Sequence, residues 1–151
     1  YSVEMRHKDF FDHGKHERNF ISLLKSYDVD RVIFDTRKLH STKSNDPTII
    51  EAQKKKPKVP IRFDTTGARP VLRFVGTNDI LNNEPYLKEW AIIVAEWIGE
   101  GLHPYVFIHA PNKVSQPELC RHFHKLLSEF IKLPPLPDWP INKQDTQLGL
   151  F

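Results

Sequence analysis

The stretch Val71-Leu72-Arg73-Phe74-Val75-Gly76-Thr77-Asn78 decides how the rest of the chain is interpreted. Its β-branched and aromatic residues predict a buried strand, and the Gly-Thr-Asn behind them predicts a loop at the carboxyl end of that strand. A charge inside an apolar strand is costly to bury without a partner. We therefore expect Arg73 to face a carboxylate or an anionic ligand, and we expect the loop to be functional.

Three other segments also predict strands. Residues 1–6 alternate in polarity, residues 29–36 have the continuous apolar centre of a parallel strand covered on both faces, and residues 105–109 are β-branched and aromatic. Polar and charged residues gather at the carboxyl end of each strand. The chain therefore predicts four strands whose ends carry groups suited to chemistry.

Helical patterns fill the gaps between the first three strands. Residues 16–27 carry apolar side chains at helical spacing, which places Leu23 and Tyr27 on a buried stripe with their neighbours Phe20 and Leu24. Asp46-Pro47 predicts the N-cap and first residue of a short helix that runs to Pro57.

Two longer helices follow the third and fourth strands. Asn82 or Asn83 is predicted to cap the first of them, and Ser115 with Glu118 has the spacing of a capping box before the second. Their predicted apolar stripes are Leu87, Trp90, Ala91, Val94 and Ile98, and Leu119, Phe123, Leu126, Leu127 and Phe130. Trp90 and Trp97 are expected to pack in the core or at its rim rather than to serve as stacking platforms.

The regular alternation of strand and helix predicts an α/β protein with a parallel sheet. Either a doubly wound sheet or part of an eight-stranded β/α barrel would fit this order. No glycine-rich phosphate fingerprint follows any strand, which disfavours a dinucleotide cofactor. Polar clusters at the strand ends favour the barrel, because barrel active sites lie at that end.

Five spaced motifs cover nearly the whole chain. They are Tyr1-Ser2-Val3-Glu4-Met5-Arg6-His7, Val32-Ile33-Phe34-Asp35-Thr36-Arg37, Lys56-Pro57-x-x-Pro60, Leu72-Arg73-Phe74-Val75-Gly76, and Tyr105-Val106-Phe107 with Pro111-Asn112. Together, and in this order, they resemble the YecE-like family, the domain of unknown function 72. One departure is the end of the last strand, where many members have an asparagine pair and this chain has His109 and Ala110.

The resemblance implies a TIM-type β/α barrel. Residues 1–132 would be the C-terminal part of that single domain, roughly its last four βα units, and residues 133–151 a proline-rich extension packed on it. The chain opens within a predicted strand and without an initiator methionine, so we interpret residue 1 as the start of a fragment.

The strand ends supply the candidate site. The catalytic candidates are Glu4 and Asp35 as acid–base groups, with Arg37 and Arg73 as clamps for a phosphate or carboxylate. Period-two counting puts Glu4 with Arg6, and Asp35 with Arg37, on common faces, so two carboxylates and three guanidinium groups are expected to converge. The ligand-binding candidates are Arg6, His7, His40, Asn78 and His109. This set predicts an enzyme acting on a small anionic or phosphorylated substrate.

Three other interpretations stay open. The same charges would form a satisfied polar network inside a non-catalytic interaction protein. A divalent metal would use His7, His40 and His109, although no closely spaced histidine pair lies at a strand end. The lysine-rich residues 54–58 would bind nucleic-acid phosphates in a nuclease-like protein, although such runs at helix ends are usually solvated.

The composition is that of an ordinary globular domain, with 151 residues, 39% of them hydrophobic, and a formal net charge of +3. This basic bias is mild and spread through the chain, so charge alone does not indicate nucleic acid. No apolar run has transmembrane length, and the single cysteine, Cys120, allows no intrachain disulfide. A reducing cytoplasm is the expected location, with no membrane partner.

Overall fold

The computed structural model describes residues 1–138. In that part of the chain four parallel strands form one sheet in the order β1-β2-β3-β4, with β1 at Ser2–Val3, β2 at Asp30–Asp35, β3 at Val71–Val75 and β4 at Tyr105–His109. The helices are α1 (Lys15–Ser26), α2 (Arg37–Ser41), α3 (Pro47–Lys55), α4 (Ile80–Gly99) and α5 (Gln116–Leu127). The predicted α/β fold with alternating strands and helices is confirmed.

The strand register divides the sheet into two chemically different faces. Phe34, Arg73 and Phe107 are aligned across β2, β3 and β4, so their side chains share one face. We call it the open face, because Phe107 remains 59% exposed there. Ile33 and Leu72 are aligned on the opposite face, the helix face, where they pack with residues of α4 and α5.

The helix face carries the larger hydrophobic core. Trp90 is completely buried, and its ring packs at a tilted angle against that of Trp97 with centroids 6.0 Å apart, as predicted for tryptophans that pack in the core. Trp97 therefore takes the place expected for Ile98, which is 38% exposed. The stripe of α5 is buried as predicted up to Leu127, but Phe130 is exposed because it lies beyond the end of the helix.

The buried side of α1 differs from the predicted stripe. Leu23 and Tyr27 are exposed, and Tyr27 lies just past the last helical residue. The helix instead buries Glu17, whose carboxylate accepts hydrogen bonds from Arg31 at 3.1 Å and Arg62 at 2.8 Å. Phe20 and Leu24 are buried as predicted, so α1 faces the sheet with these two apolar side chains and with the paired Glu17.

The loop after β3 explains why the predicted cap of α4 was wrong. Asp79 is the N-cap and accepts from the Asn82 amide at 3.0 Å. Asn83 is completely buried, accepts from the Thr77 amide at 2.8 Å and donates to the Thr77 carbonyl at 3.0 Å. Asn83 holds the loop that follows the strand, and Gly76 lies so close that a Cβ there would be 2.1 Å from its Oδ1.

Two further helix starts test the predicted caps. Asp46 caps α3 as predicted, accepting from the Thr48 amide at 2.8 Å. The capping box at Ser115 was wrong, because Ser115 has helical backbone angles and its side chain caps nothing. Asn112 caps the preceding 3-10 turn instead and accepts from the Val114 amide at 3.0 Å.

The ends of the described chain are less regular than predicted. Only Ser2–Val3 pairs as a strand, although residues 1–6 alternate in polarity. At the other end, the Pro134 carbonyl lies 3.1 Å from Nε2 of His124 on α5. Residues 139–151, most of the predicted extension, lie outside the described residues. Within residues 1–138, no helix combines the length and apolar character needed to cross a membrane.

Candidate functional site

A charged cluster lies on the open face at the carboxyl ends of the strands. The Glu4 carboxylate accepts from Nε of Arg6 at 2.7 Å and from a terminal nitrogen of Arg73 at 2.8 Å. Both guanidinium groups lie over the Phe34 ring, at 5.9 Å for Arg6 and 5.6 Å for Arg73. Arg73 therefore faces a carboxylate, as its position inside an apolar strand required.

His109 ends β4 on the same face as Arg73. Its Nδ1 lies 3.0 Å from Nε2 of Gln116, the first residue of α5. The same Gln116 nitrogen donates to the Ala110 carbonyl at 2.8 Å. The side chain of Gln116 thus contacts both His109 and Ala110 at the carboxyl end of β4.

Lys56 adds a third cation to this cluster. Burial lowers the pKa of its ammonium group, and the charges of Arg73 and Arg6 lower that pKa further. The pKa of His109 is also lowered, first by burial and then by the charges of Lys56 and Arg73. His109 is therefore predominantly neutral at pH 7.

Glu4 is the carboxylate of the cluster. Burial alone would raise its pKa, but the hydrogen bonds and charges of Arg73 and Arg6 outweigh burial and hold the pKa below its usual value of 4.5. Glu4 therefore stays ionised at neutral pH, where it can orient the arginines and accept hydrogen bonds. A general base with a pKa near 7 would need the opposite shift.

A cavity of about 460 Å³ opens beside these groups. Its lining residues are Glu4, Val32, Val71, Arg73, Phe107, Ile108, His109 and Gln116. The cavity is in the size range of small-molecule sites, and its lining combines polar groups with apolar strand residues.

Asp35 and Arg37 form a second cluster on the helix face. Asp35 is completely buried, and its carboxylate accepts from Arg37 at 2.9 Å and from the Trp90 indole at 2.7 Å. Arg37 also donates to Glu89 of α4 at 2.6 Å and lies 5.2 Å from the Tyr86 ring centroid. Every charged group of this cluster has a protein partner.

The expected convergence of two carboxylates and three guanidinium groups was therefore wrong. Asp35 is one register position past Phe34, so its side chain points to the helix face while Arg73, aligned with Phe34, points to the open face. The structure brings together Glu4, Arg6, Arg73 and His109, and it separates Asp35 and Arg37 from them.

Of the remaining ligand-binding candidates, Asn78 and His7 have structural hydrogen bonds, whereas the buried Nε2 of His40 has no hydrogen-bond partner within residues 1–138. Asn78 donates to Asp46 and to the Thr48 hydroxyl, both at 2.9 Å, and accepts from the Asn112 amide at 2.7 Å, which ties three loops together. His7 caps the 3-10 turn Lys8–Phe10 and is mostly exposed. His40 lies on α2 beside a different cavity that includes Tyr86.

Two other interpretations of the sequence concern a metal site and a nucleic-acid-binding lysine segment. Within residues 1–138, no three side chains of His, Cys, Asp or Glu gather as a set of metal ligands. In the lysine-rich segment, Lys54 and Lys58 are exposed and Lys55 pairs with Glu51 one helical turn away. Lys56 departs from this solvated pattern because it approaches the open-face arginines.

Sequence reasoning missed Lys56 and Gln116 as members of the cluster. Lys56 was grouped with its exposed neighbours, and only the end of α3 at Lys55 turns it toward the sheet. Gln116 was treated only as an intervening residue of the predicted capping box of Ser115 and Glu118, whereas its side chain reaches back to the residue that follows β4. No residue spacing in the sequence indicates either contact.

The fold and the site define a class: a parallel α/β unit with a cationic, carboxylate-containing cluster at the carboxyl ends of its strands. The chain belongs to the DUF72 family, a family of proteins of unknown function, whose model matches residues 1–141. The expectation from its five motifs is thereby confirmed.

Individual relatives agree with this assignment. The UPF0759 protein YecE of Escherichia coli K12 is 35% identical over 141 residues, covering 91% of this chain and 52% of that protein, and YecE of strain O157:H7 is 34% identical over the same shares. The crystal structure of a DUF72 family protein from Enterococcus faecalis V583 superposes with a TM-score of 0.56 at 14% identity, covering 91% of this chain and 51% of that one. The chain thus spans about half the length of the relatives it matches.

Proposed function

We propose that this chain forms the C-terminal part of a β/α barrel and binds a small phosphate- or carboxylate-bearing substrate on its open face. Residues 1–132 would belong to the barrel and residues 133–151 would pack on the same domain. The barrel is supported by core helices α4 and α5 on the helix face, and by the half-length match to relatives. Tyr105 and Phe107, 55% and 59% exposed on the open face, would then face further strands.

The observation that carries the anion proposal is the charge imbalance of the open-face cluster. Arg6, Arg73 and Lys56 supply three positive charges near the carboxylate of Glu4. Like charges this close are unfavourable unless an anion offsets them. A phosphate or carboxylate group would do so through forked hydrogen bonds from arginine.

The roles follow from the contacts. Arg73 would clamp the anion, and Glu4 would hold Arg73 and Arg6 in position. His109 would exchange hydrogen bonds or protons with the substrate, because its ring lies at the cavity and is neutral. Asp35 and Arg37, proposed from the sequence as catalytic groups, would instead stabilise the helix face.

The test is a calorimetric titration of the full-length protein with inorganic phosphate, pyrophosphate and citrate. Arg73→Gln should weaken binding by about tenfold or more, the loss expected for a charge-assisted hydrogen bond of about 1.5–3 kcal/mol. The matched control is Arg69→Gln, which changes an exposed arginine near the other end of the same strand.

Equal affinity in the Arg73→Gln and Arg69→Gln variants would contradict the proposal, as would a wild-type protein that binds none of the three anions. Binding to a single-stranded oligonucleotide that depends on Lys54 and Lys58 would favour the nucleic-acid interpretation instead.

A further inference from the structure

The hydrogen bonds of Gln116 determine which nitrogen of His109 carries the proton. A glutamine amide nitrogen can only donate, and this one lies 2.8 Å from the Ala110 carbonyl, which can only accept. The opposite amide orientation would place two carbonyl oxygens against each other. The second hydrogen of the same nitrogen is left for Nδ1 of His109, whose distance from that nitrogen is 3.0 Å.

Nδ1 of His109 is therefore the acceptor, and the neutral ring must carry its hydrogen on Nε2. Within residues 1–138, Nε2 of His109 has no hydrogen-bond partner. His109 lines the cavity that Arg73 and Glu4 also line, and it lines a second cavity together with Lys56. The unpartnered Nε2–H is thus available to a ligand that binds at this ring.

We infer that Gln116 is a positioning residue that holds His109 as a neutral hydrogen-bond donor, with Nε2–H directed to a phosphoryl or carbonyl oxygen of the bound anion. The identity of the ligand in this inference rests on the proposed function, whereas the tautomer of His109 follows from the contacts of Gln116 alone. An acceptor oxygen of the ligand would then receive one hydrogen bond from the neutral ring of His109 and further hydrogen bonds from the charged guanidinium group of Arg73.

Protonation of His109 would disrupt the hydrogen bonds of Gln116. An imidazolium ring would present an Nδ1–H to the amide hydrogens of Gln116, so the amide would have to turn and lose its bond to Ala110. Arg73 from β3 and Lys56 from the end of α3 also oppose a positive ring, while Glu4 is the carboxylate on this side of the cavity. A neutral imidazole donor is a recognised way to polarise a carbonyl oxygen.

The experiment is ¹⁵N nuclear magnetic resonance of the full-length protein labelled at histidine. The chain contains eight histidines, so the His109 signals are assigned by their loss in His109→Gln. In the wild type at pH 7, Nδ1 should have the chemical shift of an unprotonated ring nitrogen and Nε2 that of a protonated one.

Gln116→Glu should reverse this assignment, because a carboxylate accepts from Nδ1–H and favours the other tautomer. Gln116→Met removes the donor without adding a charge and should leave a mixture of both tautomers. The matched control is Gln53→Glu, since Gln53 donates to the carbonyls of Leu39 and Thr42, both 2.8 Å away, and has no contact with His109. The control should keep the wild-type shifts.

A wild-type ring protonated on Nδ1, or an unchanged tautomer in Gln116→Glu, would overturn the inference. Adding inorganic phosphate to the labelled protein distinguishes a failure of this inference from a failure of the proposed function. The predicted tautomer with no phosphate-induced change at Nε2 would count against the anion site and leave the role of Gln116 intact. Phosphate binding to a ring with the opposite tautomer would overturn the role of Gln116 and leave the anion site intact.

Discussion

Both faces of the sheet carry clusters of arginines and carboxylates, but the two clusters differ in their balance of charge. On the helix face, Arg37 lies between two carboxylates, Asp35 and Glu89. On the open face, Glu4 is shared between two arginines, Arg6 and Arg73, with Lys56 nearby. The helix-face cluster has no cation left for a ligand, whereas the open-face cluster has an excess of positive charge.

Between these two clusters, the balance of charge rather than the residue types distinguishes a saturated ion-pair network from a candidate binding site. Burial would lower the pKa of Arg37, but its hydrogen bonds to Asp35 and Glu89 outweigh that effect and raise the pKa above its ordinary value. Lys56 on the open face has a lowered pKa, since burial and neighbouring cations act in the same direction. A bound anion would reverse the shift at Lys56.

The largest expected effect is on the stability of the helix face. Asp35→Asn should lower the free energy of unfolding by about 3 kcal/mol, because an amide group cannot replace a buried carboxylate that accepts from Arg37 and the Trp90 indole. Urea denaturation measures it. The same change in an exposed helical pair, Glu51→Gln, should leave the unfolding midpoint where it is. Equal midpoints for the two variants would mean that Asp35 is not a structural carboxylate.

The second prediction concerns the loop that connects the open-face strand β3 to α4. Gly76→Ala should destabilise the protein by about 2 kcal/mol, since its Cβ would lie 2.1 Å from the buried Asn83 amide oxygen. Gly99→Ala is the control, as no atom lies within 4 Å of its added Cβ, and it should stabilise the helix by up to about 1 kcal/mol. Thermal unfolding of both variants decides the point: an unchanged Gly76→Ala would show that Asn83 moves freely.

The smallest effect is a pH dependence on the open face. The pKa of His109 is lower in the folded protein than its ordinary value of 6.5, so the unfolded chain binds more protons in that range. Stability from this group is present above pH 6.5 and is lost as the pH falls through the folded pKa. Glu4 adds a similar loss only below its usual pKa of 4.5.

His109→Gln should therefore flatten the pH dependence of the urea midpoint between about pH 6.5 and the onset of carboxylate titration. A slope identical to that of the wild type would show that the surroundings of His109 do not disfavour its charged form.

Several features of the fold that depend on neighbouring residues in the sequence were predicted, whereas several that depend on tertiary contacts were not. Asp46-Pro47 predicted the start of α3, and the β-branched run ending at His109 predicted β4, because these signals are local. The capping roles predicted for Asn82 or Asn83 and for Ser115 were wrong, because Asp79 caps α4 and Asn112 caps the 3-10 turn that precedes α5.

The site was only partly predictable for a related reason. Apolar residues occupy both faces of β2, so alternation within that strand does not reveal which face Asp35 joins. Only the register with β3 places Phe34 beside Arg73 and turns Asp35 away. Gln116 and Lys56 reach the cluster through the ends of α5 and α3, which no pattern in the sequence indicates.

The most direct measurement is the anomalous difference map of a crystal of the full-length protein soaked in selenate, a phosphate-like oxyanion that contains a strong anomalous scatterer. A selenium peak within hydrogen-bonding distance of Arg73, on the open face beside His109, is the predicted result. A soaked crystal whose strongest peak lies elsewhere, with the open face empty, would contradict the central claim that this face binds an anion.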